Sequence, residues 1–381
     1  MLEGLDAVVW HKLEHAYGEA TDVPELLRAL ASDNAKARSD ALYALYGNIW
    51  HQGTVYEATA YAVPFLGELL AAPDVMEKHR ILMLLSSLAT GNSYLDVHQH
   101  LEWIYSDDER ESDEFQDQIT EELGWVKAAH EAVYQQSGVI LPLLKHDDRD
   151  VRCAAGYVLA SFPEHYATFS LALQQCIEQE DDPIVIGSML MVLGYLLPAR
   201  DTDGIDYLHP FLGLDNDPVV CFSAAIALAY IARDAIPHNA LGILVDTLTD
   251  NSGVEDAYNQ ITWVDTDIRA TVSSALCFVG AKTAEPIIPR LIEALPELDF
   301  FSVTQLVEAI LYLLFGQEKL PEGVTAADLT PVQRNALKEI ASHALQMPTA
   351  DGKPMINGNI GNLLHAYGLP GSPDQLRSFF E

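Results

Sequence analysis

Apolar residues recur at three- and four-residue spacing through most of this chain, in runs broken by short polar stretches. Such spacing predicts amphipathic helices, and the β-branched clusters fall inside it rather than in strict alternation. The runs also repeat. The stretch Val139, Pro142, Asp150, Val151, Arg152, Ala154, Ala155 parallels Leu208, Pro210, Asp217, Val220, Ala224, Ala225, and Asp181-Asp182-Pro183-Ile184-Val185 opens a further apolar run between them. Aligning Val151, Val185 and Val220 gives steps of 34 and 35 residues. A later copy, Asp267-Ile268-Arg269-Ala270 leading to Ala275-Leu276, is delayed by residues around Asp250 to Trp263. The first copy runs from Asp22 and Pro24 to Asp33 and Arg38. Self-similarity at this period predicts paired helices that must stack, since one pair cannot bury its apolar face alone.

Each unit makes physical sense. Pro24, Pro64, Pro142, Pro210 and Pro289 are placed at or near the first turn of a helix A, where a missing N–H costs nothing. An aspartate in the following turn is placed to cap helix B. Helix B then carries aliphatic residues and alanine pairs that allow close helix contact.

Proline in helix A, then Asp-x-Val/Ile-Arg at the start of helix B, resembles the HEAT-repeat family, of the bacterial type. The signature is fullest at Asp150–Arg152 and Asp267–Arg269. The resemblance implies an all-α fold, an α-α superhelix (HEAT-like solenoid) of stacked antiparallel helical pairs. It also implies a structural ladder through Asp150, Arg152, Asp267 and Arg269, broken at Asp182 and Asp217, where the arginine is missing. One array of about seven to nine pairs is expected over residues 1–381. It would have a cap helix over 1–18, insertions at 106–123 and 250–263, and an irregular cap over 348–381. In that last cap, Lys353 to Gly361 reads as a turn-rich link before one short helix.

Charge changes the picture of what the array meets. The 381 residues carry 56 acids and 21 bases, a net charge of −35. Such a surface repels nucleic acid and anionic membranes and attracts basic proteins. No basic segment followed by an apolar core opens the chain, and apolar runs such as Ile184 to Leu197 are too short to span a bilayer. Cys153, Cys176, Cys221 and Cys277 lie scattered in apolar runs, which fits a reducing cytoplasm.

Function in a repeat array is expected where the repeat breaks. Three breaks stand out. Trp50, His51, Gln52, Tyr56 and Glu57 crowd one short connection beside Gly53, as either a binding patch or a packed corner. Between Asp107 and Glu122 there are nine acids and one base, among them Asp108, Glu109, Asp113 and Glu114. Repulsion predicts a mobile loop or frayed helix there, either a solvated segment or a lure for a basic partner. Trp103 and Trp125 bracket it as expected core residues. Residues 201–268 hold twelve acids against Arg233 alone, and Glu255, Asp256, Tyr258 and Trp263 combine carboxylates with aromatics suited to lysine or arginine.

Candidate chemistry is thin. His11-Lys12-Leu13-Glu14-His15 has the spacing of an inverted zinc-peptidase motif, but an amphipathic cap helix explains Trp10, Leu13 and Ala16 without a metal. No phosphate loop, dinucleotide fingerprint or nucleophile elbow occurs. No catalytic residue, metal or cofactor is therefore assigned. The expected function is a non-enzymatic protein-binding scaffold or adaptor with an acidic surface. Two alternatives stay open: an inhibitor or immunity protein neutralising a basic, nuclease-type toxin, and a HEAT-like lyase or chaperone subunit.

Overall fold

A computed structural model describes residues 1–101, 104–280, 285–316, 318–348 and 354–380. The fold is all-α, built from antiparallel helical pairs, and among the described residues strands occur only in three short hairpins. The chain divides into two compact units, Met1–Glu180 and Asp181–Glu381.

In the first unit, Val23–Ala29 pairs with Ala35–Asn48, and Glu57–Ala71 with Lys78–Ala89. Next come Asp113–Tyr134 and Ser137–Leu143, which precede Arg149–Leu159, and finally Tyr166–Ile177. Equivalent helices stack on one another: Glu57–Ala71 lies on Asp113–Tyr134, and Lys78–Ala89 on Arg149–Leu159. In the second unit Pro183–Leu196 lies on Pro218–Ala232, and Ile268–Leu276 on Phe300–Phe315. The aligned positions Val151, Val185, Val220 and Ile268 are all buried. Pro218–Ala235 is longer than the apolar runs expected from the sequence and long enough to cross a bilayer, yet most of it lies inside the unit's core.

The inter-helix turns follow one chemical rule. Asp148, Asp182, Asp217 and Asp267 each accept the backbone N–H two residues ahead, at 2.8 to 3.0 Å, and Asn34 does the same for Lys36. These caps satisfy N–H groups that a helix start leaves without partners. An arginine then ties the turn to the end of helix A. Arg38 donates to the Ser32 carbonyl and Arg152 to the His146 carbonyl, each six residues back. Arg269 makes a related bond from Nε, to the Leu248 carbonyl in the last turn of His238–Thr249, 21 residues back across the insertion. Arg38 and Arg152 also pair with Glu77 and Glu180.

Several expectations need correction. Residues 1–18 form two short 3-10 turns, Leu5–Ala7 and Trp10–Lys12, and the hairpin Glu14–His15/Gly18–Glu19, not a cap helix. Gly4 and Gly18 have φ of 89° and 110°, which a right-handed helix cannot contain. Pro24 and Pro289 do sit in first turns, but Pro64 and Pro142 lie inside their helices and Pro210 lies in a 3-10 turn. The C-terminal region carries a hairpin, Gln346–Pro348/Pro354–Ile356, and two helices, Gly358–Ala366 and Pro373–Phe380, rather than a link and one helix. Asn357 caps the first of these, so the glycines begin a helix instead of extending a turn. Trp103 and Lys353 lie outside the described residues.

One joint between the helices of the first unit titrates. His130 Nδ1 lies 2.8 Å from the Ala89 carbonyl and Nε2 lies 2.7 Å from a Glu164 carboxylate oxygen. Burial alone would lower the His130 pKa, but both acceptors favour the imidazolium and the net shift is upward. For Glu164 burial pushes up, the His130 bond pulls down, and the net shift is downward. The raised histidine contributes fully below its ordinary value of 6.5 and loses its effect as pH climbs through the folded value. The lowered carboxylate contributes above its ordinary 4.5 and loses its effect as pH falls through the folded value. Thermal melts across pH should therefore show wild type exceeding His130→Gln most between about pH 4.5 and 6.5, with the gap narrowing above about pH 7. A gap independent of pH would show that the pair is not ionic.

Candidate functional site

The first two repeats are joined by the hairpin Trp50–His51/Thr54–Val55. Its two turn residues, Gln52 and Gly53, both have positive φ, 49° and 96°, the geometry that matches the twist of a two-residue hairpin. The hairpin turns Trp50, His51 and Gln52 toward the end of helix Ala35–Asn48 and toward the N-terminal hairpin. Together the three segments enclose an open cleft of about 490 Å³, lined by Tyr17, Tyr43, Tyr46, Trp50, His51 and Asp22 among others. Tyr43 is 83% exposed and Tyr17 72%. Tyr17 meets His51 edge-on at 5.4 Å, and Tyr46 meets Trp50 edge-on at 5.7 Å. Gly47 lies in the lining, and a Cβ added there would meet nothing within 4 Å.

The polar floor is fixed by hydrogen bonds. The Tyr17 backbone N–H donates to His15 Nδ1 at 3.1 Å, which leaves Nε2 as the donor to Asp22 at 2.9 Å. Asn48 donates to the other Asp22 oxygen at 2.9 Å, and its own carbonyl accepts from Ala16. His51 Nδ1 is engaged with the Gly47 carbonyl at 3.1 Å. Both nitrogens of His15 are thus committed to protein partners. His11, which a helix would have placed on the same face, stands instead on the 3-10 turn Trp10–Lys12. Among the described residues no group of three His, Cys, Asp or Glu side chains could hold a metal. What the cleft offers is aromatic faces, one half-exposed carboxylate and no lysine or arginine in its lining.

Of the five residues singled out in this connection, Trp50, His51 and Gln52 line the cleft. Tyr56 and Glu57 do not. The Tyr56 hydroxyl bonds Thr54, its N–H donates to Thr59 at the start of helix Glu57–Ala71, and Glu57 accepts from the Glu14 N–H. Burial raises the Tyr56 pKa.

The acidic segment is ordered as helix. Asp107, Asp108 and Glu109 form the first turn of Asp107–Arg110, and Asp113 and Glu114 that of Asp113–Tyr134. Ser106 and Ser112 cap the two starts. The acids therefore sit where a helix dipole favours negative charge, and of the two alternatives, loop or helix, the segment takes the helix. The Ser106 bonds lower the Glu109 pKa. Phe115 and Ile119 are buried, Phe115 packs on Tyr105 at 5.0 Å, and Glu122 accepts from Ser93 and Leu95. The acids themselves remain exposed.

In the second unit Tyr258 is fully buried, against Phe222 at 5.7 Å, with its hydroxyl on Thr271. It is a core residue and not part of a binding face. Trp263 donates to Ser188 at 2.8 Å and lies edge-on to Tyr195. Asp256 is exposed and Glu255 partly so. The signal was present in the sequence: Val254, Tyr258 and Ile261 are spaced as one face of a helix. Tyr17, Tyr43, Tyr46 and Asp22 were not singled out. For Tyr43 the clue is an aromatic between the buried positions Leu42 and Leu45, off the apolar stripe of its helix.

No protein-family model and no curated protein matches the chain. Among solved structures, an engineered protein aligns over 91% of this chain and 92% of its own length at 19% identity, with a TM-score of 0.35. Importin beta aligns over 85% of this chain and 55% of its own length at 14% identity, with a TM-score of 0.34. The helical-repeat assignment rests on the helices and joints described above.

Proposed function

We propose that this chain is a non-enzymatic protein-binding scaffold or adaptor built from HEAT-like pairs, and that its partner is a basic protein. The observation that carries the reading is the exposed aromatic cleft around Trp50 in a chain of net charge −35. Four aromatic rings and the Asp22 carboxylate suit a lysine or arginine side chain, because ring faces attract cations and the carboxylate accepts their N–H groups. Negative potential over the surface steers such a partner inward, and the cleft supplies an anchor. The HEAT-like reading is supported by the repeated aspartate caps and by the arginine-to-carbonyl bond at Arg38, Arg152 and Arg269.

Steering and anchoring separate experimentally. Reversing Asp108 and Glu111, both exposed and without an ion-pair partner among the described residues, should slow association several-fold at low salt. The dissociation rate should stay nearly unchanged, and the melting temperature should fall only slightly, through the helix-start interaction lost at Asp108. Surface plasmon resonance with the captured partner reads both rates. A changed dissociation rate with unchanged association would remove the steering role from this segment.

A further inference from the structure

The second unit holds a cleft of about 450 Å³ that is unrelated to the aromatic cleft of the first. Arg233, Phe278, Glu308, Tyr312, Leu363 and Tyr367 line it. Arg233 is unusual here. It is the only lysine or arginine between residues 201 and 268, among twelve acids, yet its side chain has no hydrogen-bond or ion-pair partner among the described residues. Its Nε is buried and unsatisfied, and its guanidinium lies 4.6 Å from the centre of the Phe278 ring.

Arg233 directly ends helix Pro218–Ala232, whereas Arg200 follows helix Pro183–Leu196 by a short extended link; both arginines have positive φ, 56° and 66°. Arg200 resolves its charge on Asp234, at 3.0 Å. Gly280 holds the turn closely: a Cβ there would fall 2.6 Å from the Asp234 Cβ. A left-handed, non-glycine residue kept by tight packing, carrying a buried unpaired donor, is the pattern of a preorganised binding group.

Glu308 lines the same cleft, is exposed, and forms no ion pair with Arg233. A cleft with an unpaired cation and an unpaired anion selects against a simple anion, which Glu308 would repel, and against a simple cation, which Arg233 would repel. It is complementary to a ligand bearing both charges. Phe278, Tyr312, Leu363 and Tyr367 supply an apolar wall, and the Tyr367 ring is fixed by its hydroxyl donating to the Gly316 carbonyl at 2.9 Å. The volume is that of a small-molecule site. We infer that this cleft binds a free α-amino acid with an apolar or aromatic side chain: carboxylate on Arg233, ammonium on Glu308, side chain against the aromatic wall.

Isothermal titration calorimetry on the full chain tests this with L-phenylalanine, L-tyrosine and L-leucine. L-Phenylalaninamide lacks the carboxylate and 3-phenylpropionate lacks the ammonium, and each should bind at least about tenfold more weakly than L-phenylalanine. Glu308→Gln, a surface change, should weaken L-phenylalanine while leaving 3-phenylpropionate unweakened. Arg233→Gln, if its circular dichroism matches wild type, should weaken L-phenylalanine and leave the amide unaffected. The series on wild type stands without either variant. Binding of none of the three amino acids overturns the assignment. Equal affinity for L-phenylalanine, its amide and 3-phenylpropionate also overturns it, since neither charge is then being read.

Discussion

Replacing Gly194 with leucine is expected to destabilise the Asp181–Glu381 unit by about 3 kcal/mol or more, lowering its melting temperature by about 6–12 °C. The cause is a close helix contact in its core. Helix Pro183–Leu196 presents Gly187 and Gly194 to Ser223 and Ala227 of helix Pro218–Ala232. A Cβ on Gly194 would stand 2.5 Å from the Ala227 Cα and 2.9 Å from its Cβ, so backbone rather than a mobile side chain must move. Both helices are buried on nearly all faces, which leaves no direction in which the strain can relax cheaply. Gly242, in helix His238–Thr249, is the control. A Cβ there meets nothing, and Gly242→Ala should raise stability by about 0.5–1 kcal/mol through helix propensity alone. Calorimetry on the two variants checks both signs. A Gly194→Leu protein as stable as wild type would mean that the two helices do not pack this closely.

The second large effect is on binding. Tyr43→Ala combined with Trp50→Ala should weaken the basic partner by about 10- to 100-fold, chiefly through faster dissociation, since aromatic anchors dominate such interfaces. Tyr43 is 83% exposed and Trp50 partly so, and the melting temperature should fall little. Gly47→Leu approaches the same site from the opposite side. Gly47 costs its helix about 1 kcal/mol relative to an ordinary helix former, and the open space above it is the cleft itself. The variant should be more stable than wild type and bind less. Stability and affinity moving in opposite directions is an outcome that damage to the fold cannot produce.

The helical-repeat fold was legible because it rests on local chemistry repeated in register. Val151, Val185 and Val220 fall at steps of 34 and 35 and all are buried, and Asp182 and Asp217 cap their helices where the pattern placed them, while in the Val151 repeat the cap is Asp148, two residues before the Asp150 of the signature. The N-terminal hairpin was not legible. Trp10, Leu13 and Ala16 have helical spacing, but the backbone leaves the helical region at Val9 and Leu13, and Glu14–His15 pairs with Gly18–Glu19 around the positive-φ Gly18. Counting charge left the acids from Asp107 to Glu114 open between loop and helix, because counting ignores that they stand at two helix starts with serine caps. Tyr258 was drawn outward by its acidic neighbours, although Val254, Tyr258 and Ile261 already formed one apolar face. Half of the candidate cleft was visible as the crowded connection at Trp50. Its other half, Tyr17, Tyr43 and Asp22, comes from two further segments, and only the two hairpins closing on one helix end bring them together.

The central claim is that an aromatic cleft, and not charge alone, holds a basic partner. Affinity capture from native lysate with wild type and Gly47→Leu in parallel, at low and at high salt, tests it most directly, with bound proteins quantified by mass spectrometry. The account predicts one basic protein retained near stoichiometrically by wild type, weakened but still present at high salt, and lost from Gly47→Leu at both. Identical profiles for the two proteins, with everything released at high salt, would contradict it and leave the −35 charge as a general attractant.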